Sequence, residues 1–451
     1  MIVTRKRVLW TLLGVGFGLT TAGADGLGGA RDPGVRTGTA SAGGPLAGLA
    51  TYEGEYFTVG QEDFEELEGV GDGLGPRFNL DSCAGCHSQP AIGGSAPAVN
   101  PQVAVATAFG ARNTLPSFIT ANGPVREARF KFRADGSRDG GVHALFVITG
   151  RVDESGDGTS CVIQQDDFAG QLKNGNVVFR IPTPTFGAGL IEQISDTTIV
   201  QNLAAFPGPK RNLGISGHVN RNGNDGTVTR FGWKAQNKSL MIFSGEAYNV
   251  EMGITNELFQ SEREESSTCL KKGHPNDTTN MQGATGAETE SGVGKFSMFM
   301  RFLAPPTRST TTPGGSSSIS RGKQLFANTG CAYCHSPTLK TSVSSVPALS
   351  AKNVDLFSDL AVHRMGPGLA DNIQQGNAAG DEFRSAPLWG LGQRVFFLHD
   401  GRTSDLAQAI RAHASSGNSQ FAASEANRVV SNYNELSEGQ KQDLLNFLRS
   451  L

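Results

Sequence analysis

Two short stretches constrain this chain more than any other feature. "DSCAGCHS" places Cys83, Cys86 and His87 in a C-x-x-C-H arrangement, and "GCAYCHS" repeats it with Cys331, Cys334 and His335. Two thiols three positions apart can add to the two vinyl groups of one porphyrin, and the histidine that follows then lies beneath the iron. The pattern predicts two covalently bound haem c groups, with His87 and His335 as the proximal iron ligands. The fold must therefore supply two haem slots. A thioredoxin-like dithiol would not explain a histidine at the fifth position twice. A single zinc site built from both pairs is disfavoured by their separation and by the matching histidines.

The haem reading of C-x-x-C-H applies to an exported protein, and the N-terminus reads as an export signal. Arg5, Lys6 and Arg7 form a basic region, "VLWTLLGVGFGL" a short apolar one, and Ala22-Gly23-Ala24 an A-x-A cleavage site. Residues 1–24 thus read as a signal peptide. The apolar run lacks the roughly 18 residues of a membrane anchor, so no membrane span is expected after cleavage, and the location reads as periplasmic. A formal net charge of −3 gives no reason to expect nucleic-acid binding.

The 451 residues suffice for two or three domains, and 59 glycines with 20 prolines point to many loops and turns. Residues 25–50 are small and Gly-rich and read as a flexible segment. Residues 305–320, "PPTRSTTTPGGSSSIS", read as a linker. It divides an N-terminal haem domain, 51–304, from a C-terminal cytochrome c-like domain, 321–451. The latter reads as helical: Ser437 and Gln440 form a capping box ahead of Leu444, Leu445 and Leu448. In the N-terminal part "REARFKFR", "VHALFVITGR", "NVVFRI" and "SLMIFSG" read as strands, and the polar stretch 261–296 as a long loop. The fold class expected is mainly α with strand-rich insertions and two cytochrome c-like haem domains.

What fills the sixth position of each iron decides function. In "FFLHDGRTSDLAQAIRAHASSG", Thr403 or Ser404 can cap a helix on which Leu406, Ala409, Ile410 and His413 share one face. That face packs inward, so His413 is the expected distal ligand of the second haem; Met365, in "HRMGPGLAD", is the alternative distal ligand. For the first haem His143, in a strand pattern, and His218, in a Gly/Asn-rich loop, read as structural, with iron binding by either as the alternative. "RIPTPTFGAGLIEQI" is a stiff, close-fitting stretch ending in Glu192, a candidate proton-moving carboxylate whose bland reading is a helix-capping glutamate. The two remaining cysteines, Cys161 and Cys269, read as a disulfide in an oxidising compartment, with two buried free thiols as the alternative.

These stretches resemble a known family. "GLGPRFNLDSCAGCH", "GPVREARF", "RIPTPTFGAGLIEQI", "RFGWKA", "EMGITNELF", "GCAYCHSPTL", "HRMGPGLADN" and "EFRSAPLWGLGQRVFFLHDGR" are similar to those of bacterial di-haem oxidoreductases of peroxidase type, also labelled thiol oxidoreductases. These are distant kin of the di-haem cytochrome c peroxidases. The resemblance covers about residue 55 to the end. It implies hydrogen peroxide as oxidant at the N-terminal haem and electrons entering through the C-terminal haem. The donor would be a small cytochrome c or a cupredoxin. It implies a distal ligand fourteen residues after the histidine of an "HDG" turn; His399 leads to His413, where relatives carry Met or Tyr. It implies an acid–base group near "TPT", which points to Glu192. It also implies a tryptophan between the haems, with Trp233 and Trp389 both open. Some relatives bind calcium, and no acidic loop here matches that. A non-catalytic electron carrier and a haem oxygenase of an organic substrate are the rival readings.

Overall fold

The computed structural model describes residues 29–110, 112–148, 163–263 and 275–451. The signal-peptide stretch, Cys161 and Cys269 lie outside the described residues. Of the described residues, 33% are helical and 10% strand, so helix outweighs strand but loops outweigh both, as the glycine and proline content foreshadows.

Two helix pairs frame the molecule. Thr51–Glu65 packs on Gly292–Phe302, and Gly315–Asn328 packs on Glu438–Ser450. The two crossings use the same device. A Cβ on Gly60 would strike the Lys295 carbonyl oxygen, and a Cβ on Gly322 would strike that of Asp443. Only glycine lets the backbones approach so closely. One turn later Phe64 rests on Phe299 at 4.9 Å between ring centroids, and Phe326 on Phe447 at 5.5 Å. These phenylalanines are nearly fully buried, each stabilising its core by about 1.5–3 kcal/mol. The second pair begins inside the stretch expected to be a linker. Residues 305–314 connect the pairs, and "GSSSIS" forms the opening turns of the Gly315–Asn328 helix. Serine-rich composition signals a linker only when nothing packs on it, and here Ser318 is buried and donates to Asp443 Oδ1 at 2.5 Å.

The expected strands appear as short antiparallel pieces. Glu127–Phe130 sits between Val142–His143 and Val177–Arg180, and Arg77–Phe78 pairs with Phe146–Val147. "SLMIFSG" is not a strand. Leu240–Met252 is a helix whose Ser239 hydroxyl accepts from the Ile242 amide. Its buried positions, Leu240, Ser244, Gly245, Tyr248, Asn249 and Met252, recur at helical spacing. The polar stretch expected to be loop ends in two helices, Gly286–Thr289 and Gly292–Phe302.

Residues 29–50, read from composition as a flexible segment, make hydrogen bonds to later parts of the chain. The Asp32 carboxylate binds the Arg449 guanidinium at 2.6 and 2.7 Å and accepts from the Leu406 amide at 2.7 Å. The Arg36 amide donates to the Gly392 carbonyl, and Leu46 to Phe302. Both members of the Asp32–Arg449 pair are buried. Among the described residues no helix is long and apolar enough to cross a membrane.

Candidate functional site

Each C-x-x-C-H stretch is folded tightly against its helix pair. Cys83–Cys86 is one helical turn whose start is capped by Ser82, with Oγ accepting from Gly85 N at 3.1 Å. Cys331–Tyr333 is a 3-10 turn entered through Gly330 at φ 101°, where a side chain would be strained. The four thiols are not bridged. Burial raises the Cys83 and Cys86 pKa values, and that of Cys331 to about 11.

The histidines sort themselves by partner. His87 Nδ1 bonds the Gly94 carbonyl at 2.9 Å, His335 Nδ1 that of Phe357 at 3.0 Å, and His413 Nδ1 that of Ala409 at 2.7 Å. A backbone acceptor fixes the Nδ1–H tautomer and leaves Nε2 with a lone pair, the form a metal-bound imidazole takes. Burial keeps all three neutral, lowering His87 and His335 to about 4. His413 is close enough for its charge to depress His335 further, so the two free Nε2 atoms belong to one region. Phe64 stands 6.0 Å from His87 and Phe326 6.5 Å from His335, ring to ring. These residues fit a haem at each motif.

The other histidines are spoken for. His143 lies between Asp166 and Asp139, His218 binds Glu382, and His363 lies between Glu425 and Asp359 at 3.0 Å each. His399 stacks on Phe383 at 4.2 Å, and burial lowers it to about 4. Sequence reasoning missed the His363 group. It is fully buried, and its Nδ1 lies 3.6 Å from Cys334 Sγ. Burial opposes its charge, but Cys334 and Asp359 outweigh this and hold its pKa well above the ordinary value. The i, i+4 spacing of Asp359 and His363 was the available signal.

Near the first motif stands a pair of half-buried carboxyls that the sequence reading also missed. Burial, followed by the adjacent Glu127, pushes Glu251 well above the usual carboxylate range. Burial acts the same way on Glu127, but Arg129, at 2.6 Å, and Arg180 overcome it and hold Glu127 below that range. The two carboxyls hydrogen-bond each other, and Glu251 is further held by Asn79 Nδ2 at 2.7 Å. Glu251 is near enough to act electrostatically on both Cys83 and Cys86. Two titratable groups with pKa values driven apart are the signature of an acid–base site.

The family model described as "Di-haem oxidoreductase, putative peroxidase" matches residues 127–451. The chain belongs to this family. The matched part of this di-haem oxidoreductase contains the second motif, and the first lies ahead of it. No curated protein shows significant similarity to the chain. Among solved structures, it is similar to the di-haem peroxidase BthA from Burkholderia thailandensis, with 17% identity and a TM-score of 0.24, covering 36% of this chain and 50% of that one. A MauG-like protein associated with microbial copper homeostasis gives 18% and 0.25, covering 35% and 52%. Hydrazine synthase of Kuenenia stuttgartiensis gives 15% and 0.22, covering 36% and 58%. The chain spans about half the length of these solved relatives.

Within this di-haem oxidoreductase, Glu192 takes its bland reading. One carboxylate oxygen accepts from the Leu240 amide and the other from Arg301 Nε, both at 2.9 Å. It caps the Leu240–Met252 helix beside Ser239, and its acceptor sites are taken up by structure. The helix leading to His413 is Leu406–Ala412, capped by Asp405, whose carboxylate accepts from Gln408 N at 2.7 Å, and not by Thr403 or Ser404. Met365 is buried with Leu369 and Phe383, against Trp233 and Ala412. Trp233 is tied by Nε1 to the Ile181 carbonyl at 2.8 Å. Trp389 lies against Gly187 and lines the clefts on both of its sides. One of those clefts is bounded by Phe357, the residue whose carbonyl holds His335. Among the described residues no group of three or more His, Cys, Asp or Glu is arranged to hold a metal ion.

Proposed function

We propose that this di-haem oxidoreductase is an exported, periplasmic enzyme that reduces hydrogen peroxide at its N-terminal site and takes in electrons at its C-terminal site. The observation that carries the reading is the asymmetry between the two sites. His413 shares the region of His335, whereas among the described residues no histidine with a free Nε2 accompanies His87. Within electrostatic reach of Cys83 and Cys86 stands Glu251, hydrogen-bonded to Glu127, instead.

Cys83 and Cys86 would hold one haem covalently and Cys331 and Cys334 the other; His87 would serve the first iron, and His335 and His413 the second. Haem bound there supplies the one-electron redox chemistry. The chain's own contribution is to place protons. Reduction of peroxide to two waters takes two electrons and two protons, and a neutral Glu251 can donate to the departing oxygen while Asn79 holds its carboxyl in place. Arg129 keeps Glu127 ionised to receive the replacement proton. Electrons would come from a small cytochrome c or cupredoxin and pass an indole, Trp389 being favoured by the cleft it lines together with Phe357, whose carbonyl holds His335.

The test is a visible spectrum of the half-reduced protein titrated with hydrogen peroxide. One equivalent is expected to change the bands of one haem and reoxidise the other. A spectrum that peroxide leaves untouched would show a carrier with both irons closed.

A further inference from the structure

Six arginines are buried among the described residues: Arg129, Arg180, Arg230, Arg384, Arg394 and Arg449. Arg129 pairs with Glu127, Arg180 with Asp371, Arg230 with Asp196 and Arg449 with Asp32. Arg384 and Arg394 have no such partner. They are only 8% and 7% exposed, yet the hydrogen bonds they donate go to backbone carbonyls alone. Arg384 Nε donates to Gly232 at 2.9 Å, and Arg394 reaches Pro387 at 3.4 Å. Burial, then their mutual repulsion, lowers Arg384 to about 10; burial, then Arg449, does the same to Arg394. A guanidinium withdrawn from water without a carboxylate is unfavourable unless something anionic compensates it.

Both arginines line one narrow cleft, with Trp233 and Trp389 on its walls and Thr183-Pro184-Thr185 at its edge. None of their nitrogens without a hydrogen bond is sealed from solvent, and this cleft is the space that both side chains line. Paired guanidinium forks suit bidentate carboxylate recognition, and aromatic walls suit a flat apolar body attached to it.

We propose that Arg384 and Arg394 form a carboxylate clamp at the junction of the two halves. The carboxylate is either a propionate of a resident haem, which rests on the two-haem reading above, or a free aromatic acid entering the cleft. In either case the arginines position the ligand and take no part in bond making.

The test compares the wild-type holoprotein with Arg384→Gln, Arg394→Gln and the double variant. Haem content by pyridine haemochrome and circular dichroism first establish loading and folding. If the clamp holds a propionate, removing positive charge favours the ferric state. The midpoint potential of one haem then falls by a tenfold change in its redox equilibrium, about 59 mV, while the other stays put. The Arg384→Lys and Arg394→Lys variants, which keep the charge, move it less. If potentials are unchanged but wild type binds benzoate saturably by calorimetry, and the double variant binds it at least tenfold more weakly, the clamp stands and its ligand is a free acid. Unmoved potentials together with unmoved or absent benzoate binding overturn the clamp. None of these readouts uses peroxide, so a failure of the peroxidase reading leaves this result intact. A preparation without two haems would instead remove the reading on which the propionate source rests.

Discussion

Replacing Glu251 with glutamine is expected to slow peroxide turnover by about 10²–10⁴-fold, the range contributed by a positioned proton donor. Glutamine keeps the shape and the Asn79 contact but has no acidic proton to give. The pH profile carries the sign. Burial and Glu127 raise the Glu251 pKa, so the neutral, donating form persists through the ordinary carboxylate range. Wild-type activity should fall as pH rises through that elevated pKa, and the variant's residual activity should be flat there. Glu192→Gln is the control. It disturbs the Leu240 cap and the Arg301 pair, so it should lower stability and leave the pH profile in place. Full activity in Glu251→Gln, with the loss falling on Glu192→Gln, would return the acid–base role to Glu192.

Asp32→Ala is expected to destabilise the protein by about 3–5 kcal/mol, the effect of breaking a buried ion pair and stranding one charge. Arg449 would remain buried inside the last helix, its nearest acceptors being the Leu391 and Arg394 carbonyls. The Gly34 and Leu406 amides would lose their acceptor as well. The urea midpoint of the ferric holoprotein measures this. The same pair predicts an acid-sensitive contribution. Burial alone would raise the Asp32 pKa, but Arg449 and two backbone amides outweigh it and lower it. A depressed carboxyl stabilises the fold fully above its unfolded pKa, near 3.9, and that contribution disappears as pH falls through the folded value. Wild type and variant should therefore converge in stability toward the acid end. A variant as stable as wild type at neutral pH would show that the N-terminal segment is not an anchored part of the fold.

The features legible in the sequence were those written in local spacing. The C-x-x-C-H motifs marked the two turns that pack on the helix pairs, period-two alternation gave Glu127–Phe130, and Ser437 with Gln440 gave the start of the last helix. Short apolar runs were ambiguous: "SLMIFSG" suits a strand as well as a helix until its continuation to Met252 is considered. The duplicated helix crossing was legible but overlooked. "GQEDF" and "GKQLF" place Gly60 with Phe64 and Gly322 with Phe326 at the same four-residue spacing, each on the helix leading to a haem motif. What could not be read locally depends on distant partners. Asp32 sits in a stretch whose composition speaks of backbone entropy, and only the contact with Arg449 shows that it docks. Glu251 looks like any helical glutamate until the fold brings Glu127 against it. Glu192, placed in a conspicuous loop, is tied up by Leu240 and Arg301, which the sequence does not put near it. Arg384 and Arg394 are unremarkable as letters, and their lack of a carboxylate appears only in three dimensions.

The proposed division of labour between the two haem sites rests most directly on His413. Electron paramagnetic resonance of the ferric protein, wild type against His413→Ala, reads it out. One low-spin and one high-spin signal are expected in wild type, with the low-spin signal lost in the variant. Two low-spin signals in wild type, or a His413→Ala spectrum identical to wild type, would contradict it.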